Sequence, residues 1–175
     1  AATLFVMFVS AANACSIDEL RRLADQPPDR LPESTRHEIP NWKWSTEGGD
    51  WQLFERENAT PHSVIVTAMG EFGQTKSRVS FLSRRDYVIV ETEIDYFEHI
   101  AEPKRTGKFK VQPSRYFFFC DDRVQTGDNL PPAEQMKISS DAYGAKHFLF
   151  DEIGVLKPVL ERLPAFQSPA PLSKP

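Results

Sequence analysis

Two segments near the middle of the chain predict a β-hairpin, and this feature constrains the fold more than any other. Residues 78–83 and 87–97 each carry apolar side chains at alternate positions, Val79 and Phe81 in the first and Val88 and Val90 in the second, and Arg84-Arg85 lies in the short loop between them. Alternation with period two is typical of a strand that faces a core on one side and water on the other. The chain therefore predicts an antiparallel sheet.

The side chains of this hairpin also favour one register. In that register apolar partners share one face and opposite charges share the other, the predicted pairs being Val79 with Val90, Phe81 with Val88, Arg78 with Glu91, and Lys76 with Glu93. A shift of one residue would move every side chain of a strand to the opposite face. The expected sheet thus has one wet face.

Four further segments predict strands that extend this sheet. They are rich in β-branched and aromatic residues and are bounded by turn-forming residues; they cover 39–44, 51–57, 63–69 and 115–120. The last of them contains Tyr116 through Phe119, which are apolar on both strand faces. We therefore expect that strand to be covered on both sides.

Helices are predicted at both ends of this strand-rich region. Ser16 and Glu19 have the spacing of a capping box, and the apolar positions that follow recur at helical spacing until Pro27. A second helical stripe runs from Leu149 to Leu163, with Gly154 expected to kink it. The predicted fold class is α+β: an antiparallel meander of about six strands, with both helices packed on one face.

Composition limits the class of protein. The 175 residues are 40% hydrophobic and carry a formal net charge of -4, with a sequence pI of about 5.6. Such a chain is globular rather than disordered, and it lacks the basic excess typical of nucleic-acid-binding proteins. Its length fits a single domain, which we place at residues 15–164, followed by a disordered proline-rich tail at 165–175.

The first fourteen residues resemble a secretory signal. They carry no charge, and the apolar block 4–9 is followed by small residues that end in Ala12-Asn13-Ala14. This matches the hydrophobic and cleavage regions of a signal peptide, although a buried first strand or helix would share the pattern. We expect residues 1–14 to be removed and the protein to be exported to a periplasmic or extracellular location.

Cleavage after Ala14 would make Cys15 the first mature residue, and two fates follow. Its sulfur could carry a lipid, which is the one route by which we expect a membrane to be involved. Alternatively, Cys15 and Cys120, the two cysteines of the chain, could form a disulfide. We favour the disulfide because Ala12 stands where a lipoprotein signal usually has a larger aliphatic residue.

Three carboxylates are predicted to share one face of the second hairpin strand. Glu91, Glu93 and Asp95 follow each other with period two. They could bind a cation or perform acid–base chemistry, or they could form a solvated face paired with Lys76 and Arg78. The paired, solvated face is the interpretation that the predicted register favours.

Other catalytic or metal-binding patterns are missing from the sequence. The four histidines have no zinc-site spacing, and the chain contains neither a nucleophile elbow nor a phosphate-binding glycine loop. We therefore predict no metal and no cofactor.

Three tryptophans give the remaining candidate binding surface. Trp42, Trp44 and Trp51 flank the turn at residues 47–50 and could form an aromatic platform, or they could belong to the core. Together with the acidic strand, they lead to the hypothesis that the chain is a small exported, non-catalytic binding protein. Such a protein would be inhibitor-like or envelope-associated, and it would bind an unknown protein or small ligand. The alternative hypothesis is a secreted hydrolase that combines the three carboxylates with His99.

Overall fold

The structure of the chain is a computed structural model. The described residues are 15–26, 33–39 (backbone only), 47–56, 58–99, 104, 106–127, 129–154 and 156–164. The predicted signal (1–14), the predicted tail (165–175), and Trp42 and Trp44 lie outside these residues.

An eight-stranded antiparallel sheet forms the centre of the protein, in the order β1-β2-β3-β4-β5-β7-β8, and β6 pairs separately with β5. The strands are β1 (Glu33–Ile39), β2 (Gly49–Glu55), β3 (Pro61–Gly70), β4 (Gly73–Phe81), β5 (Tyr87–Tyr96), β6 (Phe109–Val111), β7 (Arg115–Cys120) and β8 (Arg123–Gln125). The helices are α1 (Ile17–Asp25), α2 (Pro132–His147) and α3 (Leu156–Glu161), with a π-helical turn at Phe148–Glu152. The predicted α+β class and antiparallel meander are confirmed.

The predicted β4–β5 hairpin is present, but the predicted register is wrong by one residue. Val79 pairs with Ile89, Phe81 with Tyr87, and Arg78 with Val90. The connection spans five residues because Ser83 and Asp86 close it, with the Ser83 hydroxyl donating to the Asp86 carboxylate at 2.7 Å. A loop of odd length shifts the pairing by one residue from that of a two- or four-residue loop.

This register leaves β5 apolar on both faces, and the helices divide between them. Val88 and Val90 pack with Leu20, Leu23 and Leu82 beneath α1. Tyr87 and Ile89, on the opposite face of the same strand, belong to the larger core covered by α2, the π-helical turn and α3. The expectation that both terminal helices share one face is therefore wrong, because each apolar face of the sheet needs its own cover.

A disulfide between Cys15 and Cys120 joins the start of α1 to the end of β7, with the two Cα atoms 5.5 Å apart. The predicted disulfide is thus present. Helix α1 begins directly after Ser16, as predicted, although the Ser16 side chain makes no capping hydrogen bond.

The C-terminal helical region is longer than the sequence pattern predicts. Helix α2 buries only the small residues Ala142 and Ala145, so it lacks the large apolar stripe by which helices are recognised. Gly154 adopts a φ of 70°, which separates the π-helical turn from α3. Pro158 lies in the first turn of α3, where a missing N–H costs no helical hydrogen bond.

Candidate functional site

A groove runs along one side of helix α2, where the sheet extends beyond the area that the helix covers. Its volume is about 420 Å³. The sheet contributes Ala68, Thr75, Glu91, Glu93 and Arg115, and the helical side contributes Ser140, Asp141, Gly144, Ala145 and Phe148. We call this the α2 groove.

The acidic floor of the α2 groove follows from the alternation along β5. Tyr87 and Ile89 are fully buried on this face, whereas Glu91 and Glu93 continue the same face toward the end of the strand. One strand face therefore changes from core to charged surface at Glu91. Small neighbours on β3 and β4, such as Ala68 and Thr75, leave the space above the carboxylates open.

Glu91 is nearly buried, with 8% of its surface exposed. Its Oε2 lies 3.2 Å from Arg115 Nη2, and its Oε1 lies 3.5 Å from the Ser77 hydroxyl. Burial raises the pKa of Glu91 and the nearby Glu93 charge adds to this, while the Arg115 guanidinium and the Ser77 hydrogen bond oppose it. Glu91 is thus a carboxyl group whose ionised form is stabilised mainly by one arginine.

The Arg115 guanidinium joins the two carboxylates of the floor. It donates to Glu93 Oε1 at 2.8 Å from the same nitrogen that faces Glu91. Asp141 of α2 adds a third negative charge, which also raises the pKa of Glu91. The described groove therefore contains three carboxylates and one guanidinium.

Asp95, the third predicted carboxylate, lies outside the α2 groove. It accepts a hydrogen bond from Gln112 and stands opposite Lys110 of β6. It lines a neighbouring cavity of about 340 Å³ at the end of β3–β5, beside Gly70 and Gly73, which shares Glu93 with the α2 groove. The structure thus brings Glu91 and Glu93 together and places Asp95 next to them.

The basic partners predicted for these carboxylates lie on the other face of the sheet. In the observed register Glu91 pairs with Ser77 and Glu93 with Thr75, so the predicted pairs with Arg78 and Lys76 are wrong. Arg78 instead donates to the backbone oxygens of Ala24 and Gln26 at the end of α1, the latter at 3.1 Å.

Trp51 is the described member of the tryptophan set. It lies on β2, opposite Val66, on the same sheet face as Glu91, and packs half-buried against the larger core. Three strand spacings separate β2 from β5, which is about 14 Å. Trp51 therefore borders the core rather than the carboxylates.

The histidine that the hydrolase hypothesis needs is elsewhere. His99 Nε2 lies 3.2 Å from Glu71 and its ring contacts Phe72 edge-on, beyond the end of β5. In the described part of the chain, the cluster of His, Cys, Asp or Glu side chains close enough to share a metal is Cys15, Asp86 and Cys120. Both of its sulfurs belong to the disulfide, so they offer no thiolate.

Sequence reasoning missed Arg115 and Asp141. Arg115 could have been found, because period two from the buried Phe117 and Phe119 puts it on the core face of β7. Asp141 gave no signal, since its helix was not predicted.

No protein family, curated protein or solved structure matches the chain. None of the helices in the described ranges is both long and apolar enough to cross a membrane. The geometry of the α2 groove is therefore the basis for assigning a function.

Proposed function

We propose that the protein is an exported, non-catalytic binding protein, inhibitor-like or envelope-associated, whose α2 groove holds a positively charged group of a partner protein or small ligand. The observation that carries this proposal is the excess of carboxylates in the groove: Glu91, Glu93 and Asp141 surround Arg115 as the single guanidinium.

A cation entering the groove would stabilise charges that the protein alone stabilises poorly. Glu91 is nearly buried, and Arg115 must serve both it and Glu93. Charge-assisted hydrogen bonds to a half-desolvated carboxylate are stronger than those made in open water. An ammonium or guanidinium group fits this requirement.

The remaining lining fits the stem of a basic side chain. Ala68, Ala145 and Phe148 provide apolar surface next to the carboxylates. Lysine and arginine side chains lay their methylene groups along such surface while their charged ends stay with polar partners. A lysine- or arginine-containing segment is therefore the ligand chemistry that we propose.

A secreted hydrolase is the alternative, because a buried carboxyl group with a raised pKa resembles a general acid. Two observations favour binding instead. Both floor carboxylates are paired with Arg115 across the strands, and His99 lies away from them beside Glu71.

Export is supported by the disulfide between Cys15 and Cys120. Such bonds form and persist in oxidising compartments such as the periplasm or the extracellular space. Since the Cys15 sulfur takes part in this bond, a thioether-linked lipid on Cys15 and the disulfide exclude each other. We therefore propose a periplasmic or extracellular protein without a lipid on that sulfur.

Calorimetric titration with short capped peptides tests the binding function. A peptide with one central lysine or arginine should bind, and the same peptide with norleucine, which keeps the stem and removes the charge, should not. The double variant Glu91→Gln/Glu93→Gln should weaken binding at least tenfold, as expected for the loss of charge-assisted contacts. Asp95→Asn, outside the groove, is the matched control.

Two results would contradict the proposal. Equal binding of the lysine and norleucine peptides, or binding of neither, would remove the role of the carboxylates. Hydrolysis of an ester, glycoside or peptide substrate that is lost in Glu91→Gln would favour the hydrolase.

A further inference from the structure

The α2 groove continues past Glu93 into a second cavity at the end of β5. This cavity, of about 340 Å³, has Ala68, Thr75 and Glu93 in common with the α2 groove. We call it the Asp95 cavity, and its further lining includes Met69, Phe72, Ile94 and Asp95. The α2 groove and the Asp95 cavity therefore form one trough along β5, with Glu93 at the boundary between them.

The charges in the Asp95 cavity favour a cation. Among the described residues, its walls carry the carboxylates of Glu93 and Asp95 and no lysine or arginine. Asp95 is exposed, and the hydrogen bond that it accepts comes from the neutral Gln112 amide, which leaves its negative charge uncancelled. Lys110 stands opposite Asp95 on β6 but is not a lining residue. A cation should therefore bind here, though less tightly than beside the nearly buried Glu91.

Phe72 gives the Asp95 cavity an aromatic wall. Its side chain is 61% exposed and lines the cavity together with Met69 and Ile94. Lysine and arginine side chains lay their methylene groups on apolar surface, and their charged ends are attracted to aromatic rings as well as to carboxylates. The Asp95 cavity thus combines carboxylates with apolar surface, as the α2 groove does, and adds a ring.

The spacing of the carboxylates along β5 defines the spacing of the charges that they can bind. Glu91, Glu93 and Asp95 share one strand face, with about 7 Å between successive members. A ligand segment in an extended conformation also places alternate side chains on one side at this distance, whereas adjacent side chains point to opposite sides. Two basic residues separated by one residue can therefore enter both parts of the trough at once.

We propose that the trough binds an extended segment with two basic side chains at alternate positions. The first lies in the α2 groove beside Glu91 and Asp141, and the second lies in the Asp95 cavity beside Asp95 and Phe72. The second position rests on the proposed function, because it assumes that the α2 groove takes the first basic side chain.

Calorimetric titration with two capped peptides of identical composition tests the spacing. The peptide Ala-Lys-Ala-Lys-Ala has its lysines at alternate positions, and Ala-Lys-Lys-Ala-Ala has them adjacent, so the two carry the same charge. We expect the first to bind roughly five- to tenfold more tightly, through one additional exposed ion pair and contact with the Phe72 ring.

Variants of the full chain assign this preference to the Asp95 cavity. Asp95→Asn and Phe72→Ser should each reduce the ratio of the two affinities, since each removes one of the contacts to the second lysine. The matched control is Met136→Ser, which changes an exposed side chain of α2 that lines neither part of the trough and should keep the ratio of the parent.

The possible outcomes separate the second position from the proposed function. Equal affinity of the parent for the two peptides, or a preference that Asp95→Asn retains in full, would overturn the second position. Binding of the peptide with a single lysine would still support the proposed function in that case. A parent chain that binds neither the single-lysine peptide nor these two would overturn both.

Discussion

The Glu91 carboxylate lies 3.2 Å from the Arg115 guanidinium across the β5–β7 pair. Glu91 is nearly buried, whereas the Arg115 side chain is half-exposed. Removing the Glu91 charge from water is unfavourable. The attraction to Arg115 offsets this desolvation only in part, because Arg115 is partly solvated and is shared with Glu93. The pair therefore holds a charge at the edge of the core without stabilising the fold strongly.

Stability should depend on pH through Glu91. Its pKa in the folded state is raised above 4.5, the ordinary value, chiefly by burial, so the folded state binds the Glu91 proton more tightly than the unfolded state does. The stability that Glu91 contributes is therefore greatest below pH 4.5, its ordinary pKa. This contribution is lost as the pH rises from 4.5 through the higher pKa of the folded state. Glu91→Gln removes the ionised form, so at pH 7 the variant should be at least as stable as the parent.

Urea unfolding at several pH values checks this expectation. The advantage of Glu91→Gln over the parent should shrink as pH is lowered from 7 toward 4. Asp95→Asn is the control, since Asp95 is exposed and lies outside the α2 groove, so this variant leaves Glu91, Glu93 and Arg115 in place. If the difference in the free energy of unfolding between Glu91→Gln and the parent stays constant across this pH range, the raised pKa of Glu91 is contradicted.

Arg78 should stabilise α1 from the neighbouring strand. Its guanidinium donates to the Ala24 and Gln26 backbone oxygens, which the end of a helix leaves without intrahelical partners. We expect Arg78→Met to lower the free energy of unfolding by about 1–2 kcal/mol, since two charge-assisted hydrogen bonds are lost. Lys76→Met, an exposed position two residues away on the same face, should change it by less than about 0.5 kcal/mol. Similar losses in both variants, measured by urea unfolding, would argue against the capping role.

The disulfide should account for a large share of the stability. Cys15 and Cys120 are 105 residues apart in sequence. For a loop of that size the chain-entropy treatment gives roughly 4–5 kcal/mol as an upper figure. We expect Cys15→Ala/Cys120→Ala to lower the free energy of unfolding by about 3–5 kcal/mol and to match the parent treated with dithiothreitol.

The same variant should expose helix α1 to proteolysis. Arg21 and Arg22 are exposed within α1, whose start the disulfide fastens to β7. Trypsin should cleave after them faster once the bond is removed, because local opening becomes easier. Free thiols titrated in the native, oxidised protein would contradict the bond itself.

Strands β2, β3, β4, β5 and β7 were predictable from their local patterns, whereas β8 and most of β1 were not predicted. The predicted strand 115–120 is β7, and the predicted 51–57 and 63–69 match β2 and β3 to within two residues at each end. The predicted 39–44 meets β1 only at Ile39, and residues 40–44 lie outside the described ranges.

The hairpin register was not predictable from hydrophobicity, because Tyr87 through Val90 are buried on both faces. A strand of that kind offers apolar partners in either register. The hydrogen bonds of Ser83 and Asp86 in the connecting loop are what distinguish the two. The placement of α1 and the C-terminal helices on opposite faces follows from the same two-sided strand.

The candidate site was predictable only in part. Period two was enough to put Glu91 and Glu93 on one face, but their partner comes from β7, and one wall comes from α2. A helix that packs through Ala142 and Ala145 leaves almost no hydrophobic period in the sequence. The groove depends on long-range pairing and on that helix, so local patterns could not define it.

Tyr87 and Asp122 form a partly buried hydrogen bond whose loss should be measurable. The Tyr87 ring is fully buried and stacks on Phe119 with centroids 4.7 Å apart, and its hydroxyl donates to Asp122 Oδ1 at 2.8 Å. Lys146 Nζ contacts the same oxygen at 2.8 Å. Burial, and then the Asp122 carboxylate, raise the pKa of Tyr87, so the phenol stays protonated and acts as a donor.

Two substitutions should separate the hydroxyl from its acceptor. Tyr87→Phe keeps the ring packing and leaves Asp122 with Lys146, so it should cost about 1 kcal/mol in the free energy of unfolding. Asp122→Ala leaves the buried hydroxyl without this acceptor and puts alanine at a φ of 63°, so the cost should reach about 2–3 kcal/mol. Asp122→Asn is the control, because asparagine tolerates this φ and still offers an oxygen to Tyr87. Urea unfolding of the three variants should therefore rank Asp122→Ala as the least stable; equal stability of the Asp122→Ala and Asp122→Asn proteins would show that neither the acceptor nor the backbone conformation at Asp122 matters.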